Sequence, residues 1–176
     1  LAEKALLGWK NYFLGDPAVD ISNPVIFTAI LKLVAAGRWL LEKEELVKYR
    51  ARMEIEDSYL LLVLMGLWYE LGYPELVLLE CARLLEAGEY EDYCQSQLEK
   101  IIPGKLSLDE IIPVLIQLAR AGSTNEYQES TALLIERLCE FGSFALARRL
   151  QEQVRFLPAN KLIVSQPSMS STIETE

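Results

Sequence analysis

Apolar residues recur at spacings of three and four along nearly the whole chain. This spacing places them on one face of a helix, and no stretch alternates apolar and polar residues for long enough to indicate a strand. The clearest stripes are Ile26-Ile30-Leu33-Val34, Leu78-Ala82-Leu85, Leu115-Leu118-Ala119 and Leu134-Leu138-Cys139-Phe141. The pattern therefore predicts an all-α protein.

The ends of these helical patterns carry their own signals. Asn23 before Pro24 is typical of an N-cap followed by proline at the first helical position, and Ser107 with Glu110 has the spacing of a capping box. Glycine after a helix adopts the left-handed cap conformation at little steric cost. Five glycines stand where a helical pattern ends: Gly37, Gly72, Gly88, Gly122 and Gly142.

Stripes and end signals together predict about nine helices, joined by short loops that make neighbouring helices antiparallel. The predicted ranges are 2–13, 24–36, 38–53, 56–71, 74–87, 90–102, 108–121, 125–141 and 144–157. The uncharged run from Tyr59 to Tyr69 is apolar on all sides and too short to span a membrane, so we expect it to be the central helix. Pro113 predicts either a kink in the seventh helix or a later start, with Pro113 in its first turn.

The size of the chain fits one domain. It has 176 residues, of which 51% are apolar, and this excludes a disordered or fibrous protein. We expect a single helical domain over residues 1–158, followed by a polar tail over residues 159–176 that is either flexible or docked in a groove. Because the first residue is Leu and not Met, we also expect the sequence to be a piece of a longer chain.

The composition restricts the chemistry. There is no histidine, the commonest general base and metal ligand, and no phosphate-binding loop, dinucleotide fingerprint or serine elbow. The three cysteines form no CxxC pair, which argues against a zinc site or a disulfide framework and favours a reducing cytoplasm. The net charge of −9 opposes nucleic-acid binding. We therefore expect no catalysis, no metal and no cofactor.

The segment from Leu138 to Ala147 resembles the tetratricopeptide repeat. Gly142 stands at the glycine turn of that family, Phe144 at its aromatic position and Ala147 at the small residue of its second helix, while the proline that follows falls one residue early. A second, partial match surrounds Gly72. The resemblance implies a superhelix whose inner groove binds an extended peptide or a partner helix without catalysis.

Two arrangements of the helices remain open at this point. One is a short α-solenoid of stacked antiparallel hairpins, and the other is a compact bundle in which the glycines only cap helices. The recurring ends Ala35-Ala36-Gly37, Glu86-Ala87-Gly88 and Arg120-Ala121-Gly122 favour repetition.

The candidate partner-binding residues are aromatic or basic. Trp39, Tyr90 and Tyr93 follow glycine turns beside charged residues, where exposed rings can anchor an interface. Arg148 and Arg149 form a basic concentration suited to hold an acidic peptide or a phosphate group.

Other conspicuous residues have simpler interpretations. We expect Trp68 and Cys81 to pack in the core. We expect the mixed charged run over residues 42–52 to form an exposed helix face with four-apart ion pairs. The acidic group is expected to be a solvated helix end; its members are Glu80, Glu86, Glu89, Glu91 and Asp92.

These expectations converge on a cytoplasmic adaptor or scaffold domain. Such a domain would bind a partner peptide or helix through an apolar, aromatic-lined face, and a second copy of the chain is one such partner. Neither nucleic acid nor a membrane span is expected. The alternative is a regulatory or sensory domain that binds a small apolar ligand between helices.

Overall fold

The computed structural model describes residues 23–38, 40–51 and 53–156, and in this part of the chain it contains helices and no strand. The all-α prediction is therefore confirmed for these residues. The predicted helix over 2–13, Trp39, Arg52 and the tail over 159–176 lie outside the described residues. The eight described helices are α1 (Pro24–Ala35), α2 (Lys43–Ala51), α3 (Ser58–Leu71), α4 (Pro74–Ala87), α5 (Glu91–Ile101), α6 (Lys105–Ala119), α7 (Thr124–Glu140) and α8 (Phe144–Phe156).

Helix α4 is the centre of the fold. It contacts α3, α5, α6 and α8, and ten of its fourteen residues are buried. Helix α3, which contains the uncharged run, contacts α1 and α4 and leaves Tyr59 and Tyr69 exposed. The prediction that the run forms the central helix is thus wrong: the central position is occupied by α4, in which Glu75 and Glu80 are both buried.

Helices α3 to α8 follow one another along the chain as three pairs, α3–α4, α5–α6 and α7–α8. Their first helices begin at Ser58, Glu91 and Thr124, a constant spacing of 33 residues. Helix α8 packs against α7, the helix before it, and also against α4, which lies much earlier in the chain.

Several helix ends follow their predicted signals. The Asn23 side chain accepts hydrogen bonds from the backbone N–H groups of Val25 and Ile26, and Pro24 and Pro74 stand at the starts of their helices. Gly37, Gly72, Gly88 and Gly142 have positive φ angles, as expected for left-handed caps.

Two end signals are misplaced. Gly104 is the N-cap of α6, so Ser107 lies inside the first turn and does not form the predicted capping box. Gly122 does not adopt positive φ; its N–H donates to Glu126 Oε1 at 2.9 Å, while Ser123 caps α7 by accepting from the Glu126 N–H. The cap at the start of α7 therefore replaces the glycine cap that was expected at the end of α6.

Helix α2 is shorter than the predicted range 38–53. It begins at Lys43 and ends at Ala51, and residues 53–57 are not helical, with Met53 and Ile55 buried and Glu54 exposed between them. Helix α6 runs through Pro113, which faces solvent, so the later start at Pro113 is excluded.

Candidate functional site

A groove runs between α3 and α5. Its lining includes Gly66 and Tyr69 from α3 and Tyr93, Gln97 and Lys100 from α5, and its volume is about 330 Å³. We call this the α3–α5 groove. Tyr69 is 42% exposed and Tyr93 is 41% exposed, so both rings present a face to solvent on a domain whose other large side chains are mostly buried.

Gly66 forms part of the groove because it lacks a side chain. It lies in the middle of α3, where glycine costs about 0.5–1 kcal/mol relative to alanine. The packing does not require it, since a Cβ added here would meet only the Tyr93 hydroxyl, at an ordinary 3.9 Å. Gly66 therefore destabilises α3 relative to alanine, and its structural effect is to leave the groove open.

Gln97 contributes an unpartnered amide oxygen to the same groove. The side chain is 5% exposed, and its Oε1 atom has no hydrogen-bond partner within the described part of the chain. A buried amide oxygen without a partner costs about 1–3 kcal/mol. Rotation of the terminal amide can present either its acceptor or its donor to a molecule in the groove.

The groove continues into a second cavity. Tyr69 and Lys100 line both, and the Lys100 ammonium lies 5.3 Å from the centre of the Tyr69 ring, within range of a cation–π interaction. The second cavity has a volume of about 490 Å³ and lies where α3 and α5 end and α8 begins; Ile101, Phe144 and Arg149 also line it. We call it the end cavity.

Arg149 is fixed at the edge of the end cavity. Its Nη1 donates to the Gly72 carbonyl at 2.9 Å and lies 3.7 Å from Glu75 Oε1. Lys43 donates to the other oxygen of the same carboxylate. Glu75 is fully buried, and burial, followed by the nearby Arg149 charge, lowers the pKa of Lys43. Two cations therefore share the buried Glu75 carboxylate, and the Glu44 and Glu152 carboxylates also act on Lys43.

A second buried charged group lies further along α4. Arg50 donates to both oxygens of Glu80, and the Trp68 indole Nε1 donates to Glu80 Oε2 at 3.0 Å. All three side chains are buried, and the Trp68 ring also packs against Phe27 and Tyr73. Trp68 is thus a core residue, as predicted, whereas the expected surface positions of Arg50 and Glu80 are wrong: each is neutralised by the other.

The remaining acidic residues of the predicted group are exposed, as expected for a solvated helix end: Glu86, Glu89, Glu91 and Asp92. The described residues contain no group of three or more His, Cys, Asp or Glu side chains that could hold a metal ion.

The thiols do not open onto the groove. Cys81 is fully buried, as predicted, and its Sγ contacts Met65 Sδ at 2.9 Å. A hydrogen bond between the Cys81 and Cys94 thiols raises the pKa of Cys81 and lowers that of Cys94. Cys94 has no exposed surface either, so its lowered pKa does not make it an accessible nucleophile.

The structure separates the five predicted partner-binding residues. Tyr93 lines the α3–α5 groove and Arg149 lines the end cavity. Tyr90 is exposed but is the N-cap of α5, with a left-handed φ of 53°, and is not among the groove residues. Arg148 is exposed outside both cavities. Trp39 lies outside the described residues.

Sequence reasoning missed other residues of the groove, namely Gly66, Tyr69, Gln97 and Lys100. One signal was available: Gly66 interrupts an otherwise uncharged apolar run without ending the helix. The other residues are ordinary surface types until α5 is placed beside α3.

Among the described residues, no helix is both long and apolar enough to cross a membrane. Comparison of the chain with protein-family models, with curated proteins and with solved structures finds no match.

Proposed function

We propose that this chain is a non-catalytic protein-interaction domain whose α3–α5 groove binds an extended segment of a partner protein. The observation that carries the proposal is that Gly66, the unpartnered Oε1 atom of Gln97 and two partly exposed tyrosines line one groove. Glycine leaves room for a chain, the amide needs a polar partner, and tyrosine rings offer large contact area at low entropic cost.

An extended segment suits the groove better than a helix. In a helix the backbone N–H and C=O groups are already paired, whereas an extended chain offers both to a side-chain amide. Gln97 can accept from or donate to such a backbone, which would satisfy the Oε1 atom that has no partner in the free domain.

A partner polypeptide also suits this surface better than a small apolar ligand. Sites for small ligands usually enclose most of the ligand surface. Here Tyr69 and Tyr93 keep about two fifths of their surface in solvent, and Lys100 stands over one ring. The groove is therefore partly exposed to solvent and lined by aromatic rings.

The proposed architecture is a short stack of hairpins. The constant spacing of 33 residues between Ser58, Glu91 and Thr124 is typical of helical repeats and supports the resemblance to tetratricopeptide repeats. The contact of α8 with α4 favours a compact stack over an open superhelix. In either arrangement the groove lies between the first helices of two adjacent hairpins.

The proposal can be tested with displayed random peptides of about twelve residues, selected on the wild-type chain and then measured as synthetic peptides by fluorescence anisotropy. The Gly66→Leu variant fills the groove and should weaken binding by about tenfold or more. Its urea unfolding midpoint should not fall, because leucine favours the helix more than glycine does.

Two tyrosines three positions apart supply a matched control. Tyr93 lines the groove and Tyr90 does not, although their exposed fractions are 41% and 43%. Tyr93→Ala should weaken the binding of the selected peptides by about tenfold, and Tyr90→Ala should change their affinity by less than about twofold. Equal losses in both variants, or peptides that bind Gly66→Leu as tightly as wild type, would show that the groove is not the binding site.

A further inference from the structure

We infer that the partner segment carries an aspartate or glutamate whose carboxylate occupies the end cavity, between Lys100 and Arg149, next to an apolar side chain. This inference rests on the proposed function and names the chemical class of the segment. It starts from continuity: Tyr69 and Lys100 line both the α3–α5 groove and the end cavity, so a chain leaving one enters the other.

The charge of the end cavity is opposite to that of the whole chain. The protein has a net charge of −9, yet Lys100 and Arg149 are the charged residues in the cavity lining, and no Asp or Glu is among them. Glu75, whose Oε1 lies 3.7 Å from Arg149, is not part of the cavity lining and also pairs with Lys43. A carboxylate in the cavity would therefore meet two cations, and Arg and Lys make the stronger, charge-assisted hydrogen bonds to such groups.

The start of α8 adds polar donors in the same place. Ala147 makes the first backbone hydrogen bond of this end, from its N–H to the Ser143 carbonyl. The N–H groups of the preceding helical residues, Phe144, Ala145 and Leu146, have no partner within the helix, and these residues line the cavity. The positive end of the helix dipole therefore reinforces the two side-chain cations.

The apolar part of the lining predicts the neighbour of the carboxylate. Phe144 is 63% exposed, an unusual position for a large aromatic ring, and Ile101 and Leu146 line the same cavity. Contact with an apolar side chain would remove the Phe144 ring from water, which favours binding. The expected pattern is thus an acidic residue adjacent to an apolar one.

The test uses the displayed random peptides and the full chain. Peptides selected on wild type should be enriched in an acidic residue next to an apolar one, and replacing that residue by its amide (Glu→Gln or Asp→Asn) should weaken binding by about tenfold. Lys100→Glu should abolish the preference for the acidic peptide over its amide. Lys105→Glu makes the same charge change at an exposed lysine outside both cavities and should leave the preference intact.

The outcomes separate the two proposals. If peptides bind and depend on Tyr93 but show no acidic preference, or if Lys100→Glu leaves the preference unchanged, the carboxylate inference is wrong and the groove remains. If the double variant Glu174→Gln/Glu176→Gln binds the acidic peptide about tenfold more tightly than wild type, the tail of this chain is the occupant and the partner assignment is wrong.

Discussion

The guanidinium of Arg50 makes two hydrogen bonds with the carboxylate of Glu80, of 2.7 and 2.8 Å, although thirty residues separate them in the chain. Their side chains are 3% and 2% exposed. The pair joins α2 to the central helix α4, and the Trp68 indole donates to the same carboxylate. A third helix is thereby connected to the same buried charge.

Removing one partner of this pair should be costly. Arg50→Met leaves a buried carboxylate without its counter-ion, which typically costs about 3–5 kcal/mol of unfolding free energy. The measurement is urea unfolding followed by circular dichroism. The double variant Arg50→Met/Glu80→Gln removes both charges and keeps an acceptor for Trp68, so it should recover much of the loss. A double variant as unstable as Arg50→Met would show that packing, and not the uncompensated charge, causes the effect.

The same substitution at two glycines should have opposite effects. Gly66→Ala lies mid-helix with room for a Cβ and should stabilise the domain by about 0.5–1 kcal/mol. Gly72→Ala must hold alanine at a φ of 82° and should destabilise it by about 1–2 kcal/mol. Thermal unfolding of both variants beside wild type measures the difference. A loss of stability in Gly66→Ala would mean that glycine is needed there for packing.

Tyr127 should make stability fall at high pH. Burial raises its pKa to about 12 in the folded chain, whereas in the unfolded chain it titrates near 10. Between these values the folded state binds more protons, so the contribution of Tyr127 is intact below pH 10 and is lost as pH rises through 12. The loss amounts to about 3 kcal/mol.

Comparison with Tyr127→Phe isolates this contribution from the other tyrosines. The free energy of unfolding is measured with urea at several pH values and plotted against pH. Between pH 10 and 12 it should fall less steeply for the variant, by about 1.4 kcal/mol per pH unit. Parallel curves for the two proteins would place Tyr127 in contact with solvent.

The three thiols should react in an order set by exposure. Cys139 is half-buried, whereas Cys81 and Cys94 have no exposed surface. A short pulse of iodoacetamide on the native protein, analysed by peptide mapping, should label Cys139 first and the other two only after unfolding. Earlier labelling of Cys94 would show that the structure around this thiol opens locally, so that its lowered pKa makes it reactive. The Cys139→Ser variant, which lacks the exposed thiol, makes such labelling easier to detect.

Local features of this fold were predictable from sequence because their causes lie within a few residues. Asn23 caps the helix that begins one residue later, and Gly72 and Gly88 end helices with positive φ. These signals depend on backbone geometry and on adjacent side chains. The all-helical class followed from the spacing of apolar residues for the same reason.

Residues whose environment depends on distant partners were not predictable in this way. Arg50 stands in a run of charged residues that is typical of a surface. Only the position of α4 shows that Arg50 pairs with Glu80 in the core. Tyr93 was named as a partner-binding candidate from its chemistry, whereas Gln97 and Lys100 line the groove only because α5 lies beside α3. The periodicity of apolar residues does not show which residues pair across long sequence separations.

The two ion pairs that hold α2 have a consequence for biosynthesis. Lys43 and Arg50 leave the ribosome before Glu75 and Glu80 leave it, so the nascent α2 must stay hydrated until α4 has emerged. Protease digestion of stalled nascent chains should therefore cleave α2 readily when translation stops before α4 and slowly when it stops beyond it. The order of synthesis makes α2 a late addition to a domain in which it comes early along the chain.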